Sequence, residues 1–143
     1  MRLSKASAYG VLACVYVAAH PPSAPVQGRA IAEAHDLPPE YLLKILQQLV
    51  RARILESETG RRGGFTFQKR PIDVTLLDIV EAIDGPLDSG SSSVETVVGM
   101  DAVRAHMESL LAGITARTRE LLRSSTLADL LARFHATSEG KGS

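Results

Sequence analysis

Arg61 and Arg62, set among glycines in the stretch GRRGGF, are the side chains of this sequence best suited to a polyanion. Guanidinium groups match phosphate oxygens with paired hydrogen bonds, and glycine lets a backbone take positive φ and come close to a surface. Just upstream, Leu42, Ile45, Leu46, Leu49 and Val50 recur at three- and four-residue steps, while Glu40, Lys44, Gln47, Gln48 and Arg51 fill the opposite face. Such a helix fits the major groove of a DNA duplex, and a thin basic hairpin after it reaches the adjacent minor groove or phosphates. Taken singly, each is equally an ordinary surface helix or an ordinary hairpin. Their succession points to nucleic acid.

Other chemistries find little support. The histidines, His20, His35, His106 and His135, are scattered, none is paired with the cysteine, and no phosphate-cradling loop is recognisable, so no catalytic constellation emerges. Cys14 is the single cysteine, which excludes an intrachain disulfide or a multi-cysteine metal site. No metal and no cofactor are therefore expected. Between Val11 and Val15, Cys14 reads as a small buried hydrophobe with a raised pKa. Absence of a disulfide framework fits a reducing, cytoplasmic location. The apolar run before Cys14 is too short for an export signal and too amphipathic to span a bilayer, so no membrane partner is expected. Residues 1–70 hold ten Lys/Arg against five Asp/Glu, and 71–143 hold six against eleven, giving halves of +5 and −5 in a chain of zero net charge. That asymmetry suits a nucleic-acid-facing front and a different role for the back.

The elements that must position these residues follow in order. Ser4 is a plausible N-cap for a helix reaching Ala19, with Ala8, Val11, Leu12, Val15, Ala18 and Ala19 as its apolar positions and Pro21-Pro22 as its stop. HPPSAP at 20–25 is a rigid connection. A short helix from about Gln27 to His35, the turn Asp36 to Pro38, and a helix from Pro39 to Arg53 make a helix-turn-helix, with proline tolerated in the first turn. In that motif the second helix meets base edges with its first residues, which marks Pro39, Glu40, Tyr41, Leu43 and Lys44. Lys44 suits phosphate or guanine, Glu40 a cytosine amino group and Leu43 a thymine methyl; Tyr41 divides between core and phosphate. Ile54 and Leu55 open an extended run, Phe65 and Phe67 form the apolar half of its return, and Arg61, Arg62 and Gly63 lie at the tip. Thr75 with Asp78 resembles a capping box for a helix buried through Leu76, Ile79, Val80 and Ile83 and ended by Gly85-Pro86.

YLLKILQQLVRARILES, GRRGGF and TLLDIVEAIDGP together resemble the Rrf-type family of bacterial winged helix-turn-helix regulators, which includes IscR-like iron–sulfur sensors and CymR-like repressors. The resemblance runs from the amino terminus to about Pro86 and weakly beyond. It implies that Arg2 and Lys5, at the start of the first helix, lie beside the DNA backbone. Leu43 departs from the polar or acidic residue many members carry there, so the family's recognition sequence does not transfer. Cluster-binding members supply three cysteines and a histidine or acidic ligand from the region after Pro86. Here that region has Ser91, Ser92 and Ser93, with His106 alone near the place of the non-cysteine ligand, and imidazole with serine does not hold a cluster as thiolates do.

From Glu95 to Ser124 one amphipathic helix is expected, with Met100, Val103, Met107, Leu110, Ile114 and Leu121 along one side, interrupted only where Arg117 and Thr118 fall. At about 45 Å it outruns anything residues 1–86 can cover, so its seam calls for a second copy of the chain. Thr126 with Asp129 caps a last helix, Leu127 to Phe134, and the remainder reads as a frayed tail. The expectation is a mainly α fold: a winged helix-turn-helix with a two-stranded β-hairpin wing at 1–86, a polar loop at 87–94, and a long C-terminal dimerisation helix, short terminal helix and tail at 95–143. The expected partners are double-stranded DNA, a second copy in a homodimer, and a small-molecule or protein effector. The competing class is a winged-helix module that docks a protein partner instead of DNA.

Overall fold

The computed structural model describes residues 3–88 and 98–140. The helices are α1 (Lys5–Ala18), α2 (Gly28–Ala34), α3 (Pro39–Arg51), α4 (Leu76–Asp84), α5 (Asp101–Ser124) and α6 (Leu127–Gly140), and the strands are β1 (Glu56–Glu58) and β2 (Gly64–Thr66). A mainly α fold with one antiparallel hairpin is thus as expected, while Arg2, most of the 87–94 loop and the proposed helical start at Glu95 fall outside the described residues.

Local chemistry explains the boundaries. Ser4 Oγ accepts the Ser7 N–H at 3.0 Å to start α1. Thr75 and Asp78 exchange side-chain and backbone bonds at 2.9 and 3.1 Å to start α4. Helix α2 ends with Asp36 at φ 52° and the Leu37 N–H on the Ala32 carbonyl at 2.9 Å, a six-to-one closure that makes the tight turn into α3. Two residues earlier than expected, α3 stops in the same way. Arg53 takes φ 61°, its N–H meets the Val50 carbonyl at 2.9 Å, and the Ile54 N–H meets the Leu49 carbonyl at 3.0 Å. Ile54 and Leu49 are both buried, so this closure aims the chain into β1. Left-handed arginine costs about 1–2 kcal/mol relative to glycine, partly offset by glycine's freer unfolded chain at about 0.4–1 kcal/mol. Arg53→Gly should therefore raise unfolding stability by about 0.5–1 kcal/mol in urea titration; a loss would show that the left-handed turn is unstrained.

Leu42, Ile45, Leu46 and Leu49 of α3 form the centre of the core with Cys14 and Val17 of α1, Ile31 of α2, Leu55 and Val74, Ile79 of α4 and Leu127 of α6. The inward side of α1 differs from expectation. Ser7, Gly10, Ala13, Cys14, Val15 and Val17 are buried, whereas Leu12 is exposed and Ala8 and Val11 are half-buried. The reason is steric: α1 crosses α4 and α3 so closely that a Cβ on Gly10 would stand 3.1 Å from Ile83 and 3.7 Å from Ile45, so small residues face inward. On α4, Leu77 is buried where Leu76 and Ile83 are only partly so.

Two further differences concern the back of the chain. Met100 is not within the long helix but is its left-handed N-cap at φ 52°, so α5 begins at Asp101. The last helix continues to Gly140, six residues past Phe134, as Thr137 and Ser138 return their hydroxyls to the Arg133 and Phe134 carbonyls at 3.0 and 3.1 Å. Its capping pair holds as expected: the Asp129 carboxylate accepts the Thr126 N–H at 3.0 Å, and hydrogen bonding from Thr126 lowers the carboxyl pKa. The α5–α6 junction is stitched to the start of α4 by an antiparallel bridge, Thr75 to Thr126, through Leu76 N–H to Ser125 O at 2.9 Å and Leu127 N–H to Val74 O at 2.8 Å. A second tie lies at the other end of α4. Arg119 of α5 donates to Glu81 at 3.3 Å and to the Leu87 carbonyl, while the Leu87 N–H donates to Glu81 at 3.0 Å.

Candidate nucleic-acid interface

Glu40, Leu43, Lys44, Gln47 and Arg51 are all exposed along α3, opposite the buried row that anchors it. Pro39 occupies the first turn after Pro38, so its missing N–H costs the helix nothing. Tyr41 is only partly covered, its ring edge-on to Tyr9 of α1 with centroids 6.1 Å apart. That contact brings the amino-terminal half of α1 to the start of α3, and Lys5 lies exposed one helical turn before Tyr9. The same end of α1 is braced from α4, where the two oxygens of Asp84 accept the Ser4 and Ser7 hydroxyls, each at 2.7 Å. The cation at position 5 thus sits on a fixed helix end.

The wing pairs Glu56 with Thr66, Ser57 with Phe65 and Glu58 with Gly64. On its other edge β2 bonds to Val26, Phe65 N–H to Val26 O at 2.8 Å and Val26 N–H to Phe65 O at 2.9 Å. That third strand-like contact changes the expected alternation: Thr66 and Phe67 are buried and Phe65 is only partly so, with the Thr66 hydroxyl accepting from Gln68 at 3.1 Å. Arg61 and Arg62 stand exposed at the tip. Gly63 is buried, its N–H on the Gly60 carbonyl at 3.0 Å; a Cβ there would lie 2.4 Å from the Glu58 carbonyl, so its part is to let the hairpin close. Glu56 and Glu58 are exposed on β1, which leaves the tip as the wing's cationic part.

Among the described residues, no ion pair engages Lys5, Lys44, Arg61 or Arg62; the pairs present are Arg70–Asp73, Arg104–Asp101, Arg119–Glu81 and Arg123–Glu120. Unpaired, exposed cations are what counterion release requires. Arg29, exposed on α2 and also free of ion pairs, joins them; on a short helix with a weak apolar pattern no spacing singled it out.

The proposed seam residues lie elsewhere. Val103, Met107, Leu110, Ile114 and Leu121 are 47–70% exposed on α5 and Met100 is 75% exposed at its start. The helix buries no residue within the chain.

Thiolate chemistry is not available at a surface. Cys14 is wholly buried in the core, and burial pushes its thiol up to about 12. Among the described residues no three His, Cys, Asp or Glu side chains stand together as a metal-holding group. With Cys14 the chain's single cysteine and buried, one chain offers no set of thiolates for an iron–sulfur cluster. No described helix is long and apolar enough to cross a membrane.

Comparison with known proteins agrees with this geometry. Residues 3–133 match the Rrf2 family, described as an iron-dependent transcriptional regulator. A Rhodopseudomonas palustris protein that bears the provisional name HTH-type transcriptional regulator BadM is 34% identical over 131 residues, 92% of this chain and 81% of the relative. The HTH-type transcriptional regulator CymR of Bacillus subtilis is 27% identical over 130 residues, 91% of this chain and 89% of its own. The solved structure of CymR, the global cysteine regulator of that organism, superposes with a TM-score of 0.76 at 26% identity, covering 93% of this chain and 98% of the other. That of T. potens IscR gives 0.71 at 28%, covering 93% and 88%. Family and relatives alike are transcriptional regulators rather than enzymes. With a family match across nearly the whole chain and a helix-turn-helix and wing to go with it, this chain belongs to the Rrf2 family of winged helix-turn-helix transcriptional regulators.

Proposed function

We propose that the chain binds a palindromic operator as a homodimer, in the cytoplasm and without a resident iron–sulfur cluster. The observation that carries this reading is α5: a 24-residue helix with no buried residue and an exposed apolar row through Val103, Met107, Leu110, Ile114 and Leu121, broken only at Arg117 and Thr118, which water disfavours and a second α5 would cover. Two-fold symmetry then sets two copies of α3 in successive major grooves, with half-sites about 34–36 Å apart. Arg2, Lys5, Arg61 and Arg62 neutralise phosphates, and Pro39, Glu40, Tyr41, Leu43 and Lys44 form the part of α3 that enters the groove. Gly63 lets the wing tip close against the duplex. The lone core cysteine supports the absence of a cluster.

Regulation then falls to an effector other than a cluster. Between the winged core and the back of the chain lies a wholly apolar cleft of about 290 Å³, walled by Val11 and Leu12 of α1, Leu76 and Val80 of α4, Leu122 of α5 and Leu130 of α6. A small uncharged molecule suits it, because it offers no partner for a charge. A protein effector is the second class.

Selection of genomic fragments by the purified protein tests the main reading. The expected result is enrichment of inverted repeats whose half-sites lie about one helical turn apart, with binding that weakens steeply in salt. Retention of no fragment at low salt, or of all fragments equally, overturns it and leaves the protein-docking winged helix.

A further inference from the structure

We infer that Gln47 is a base-reading residue and that its carboxamide selects an adenine in the operator half-site. The inference rests on the DNA-binding reading above and extends it beyond the first turn of α3. Two parallel rows run along this helix. Leu42, Ile45, Leu46 and Leu49 form the buried one, at steps of three, one and three residues. Glu40, Leu43, Lys44 and Gln47 repeat the same steps two positions earlier and are all exposed. Two residues correspond to about 200° of helical rotation, so the second row points directly away from the core. Gln47 is its fourth member and lies between the azimuths of Leu43 and Lys44.

Its neighbour shows what a glutamine on this helix does when it belongs to the fold. Gln48 is half-buried and donates to the Ile83 carbonyl at 3.5 Å. The Gln47 side chain makes no hydrogen bond, ion pair or ring contact among the described residues. A primary amide offers a donor and an acceptor in one plane, the pair that matches adenine N7 and N6–H₂ on the major-groove edge. A phosphate contact from this uncharged group would add a hydrogen bond but release no counterion, so it would lack the salt dependence of a Lys or Arg contact. Gln47 stands about 4.5 Å along the axis beyond Lys44, close to the ~3.4 Å rise of one base pair. The adenine therefore lies one or two base pairs from the position that Lys44 meets.

Selection from a randomised duplex library with full-length wild-type protein, Gln47→Ala, Gln47→Glu and Lys44→Ala tests this. The wild type is expected to recover one adenine near the position that Lys44→Ala relaxes. In Gln47→Ala that adenine alone loses its preference, by about fivefold to a hundredfold, while salt slope and affinity for non-specific duplex stay unchanged. In Gln47→Glu the preference moves to cytosine, whose N4 amino group donates to a carboxylate. A motif unaltered in Gln47→Ala overturns the inference while leaving the operator reading intact. A uniform loss of affinity with no position relaxed also overturns it, since that is the mark of a backbone or structural role. If the wild type recovers no motif, both readings fall together. Thermal melting of each variant by circular dichroism is expected to match the wild type, because the side chain is exposed and unbonded.

Discussion

Changing Met107 and Leu110 together to aspartate should convert the protein from a dimer at micromolar concentration to a monomer, with circular dichroism unchanged. Both side chains are about half-exposed in the single chain, at 47% and 55%, so the variant buries no charge when alone. In a seam between two copies of α5 the same substitutions place four carboxylates out of water without partners. Each such burial costs several kcal/mol, and each 1.4 kcal/mol is a factor of ten in dissociation constant. Loss of the dimer separates the two half-site contacts, so operator affinity should fall with it. Sedimentation velocity decides the matter: a wild-type monomer at micromolar concentration, or a variant that remains dimeric, removes α5 as the interface and the palindrome with it.

The second large effect is expected at the wing. Replacing Arg61 and Arg62 with alanine should weaken operator binding on the order of tenfold or more and flatten its log–log salt dependence by about two units for each bound wing. Neither guanidinium takes part in an ion pair among the described residues, so the melting temperature should hold. The double change leaves Gly60, Gly63 and Gly64 in place and with them the hairpin's closure. Titrations at matched salt that show equal affinity and equal slope would take the wing off the DNA and leave α3 as the sole contact. The two variants are complementary, since one acts on assembly with the DNA-facing surface intact and the other on that surface with assembly intact.

Local signals in the sequence determined the elements and many of their ends. Helix α3 was legible because its polar and apolar rows are cleanly separated, and the caps at Ser4, Thr75–Asp78 and Thr126–Asp129 are bonds between residues three apart that need no tertiary context. The exposed apolar row on α5 was legible for the same reason: its residues recur at helical period whether or not anything covers them.

Tertiary structure alone decided which side of α1 faces inward. That helix is apolar nearly all round, so periodicity carried no direction, and the close crossing with α4 chose Ser7, Gly10 and Cys14 over Leu12 because only small side chains fit. The third edge of the wing came from Val26, 39 residues before Phe65 of β2, and its backbone bonds to Phe65 set the strand's burial against its own alternation. Likewise the joining of α4 to α5 through Arg119, Glu81 and Leu87 depends on groups up to 38 residues apart, which no local window contains. Short-range bonding and period are properties of the chain; which faces meet is a property of packing, settled by volume and by the pairing of backbone groups that distant segments bring together.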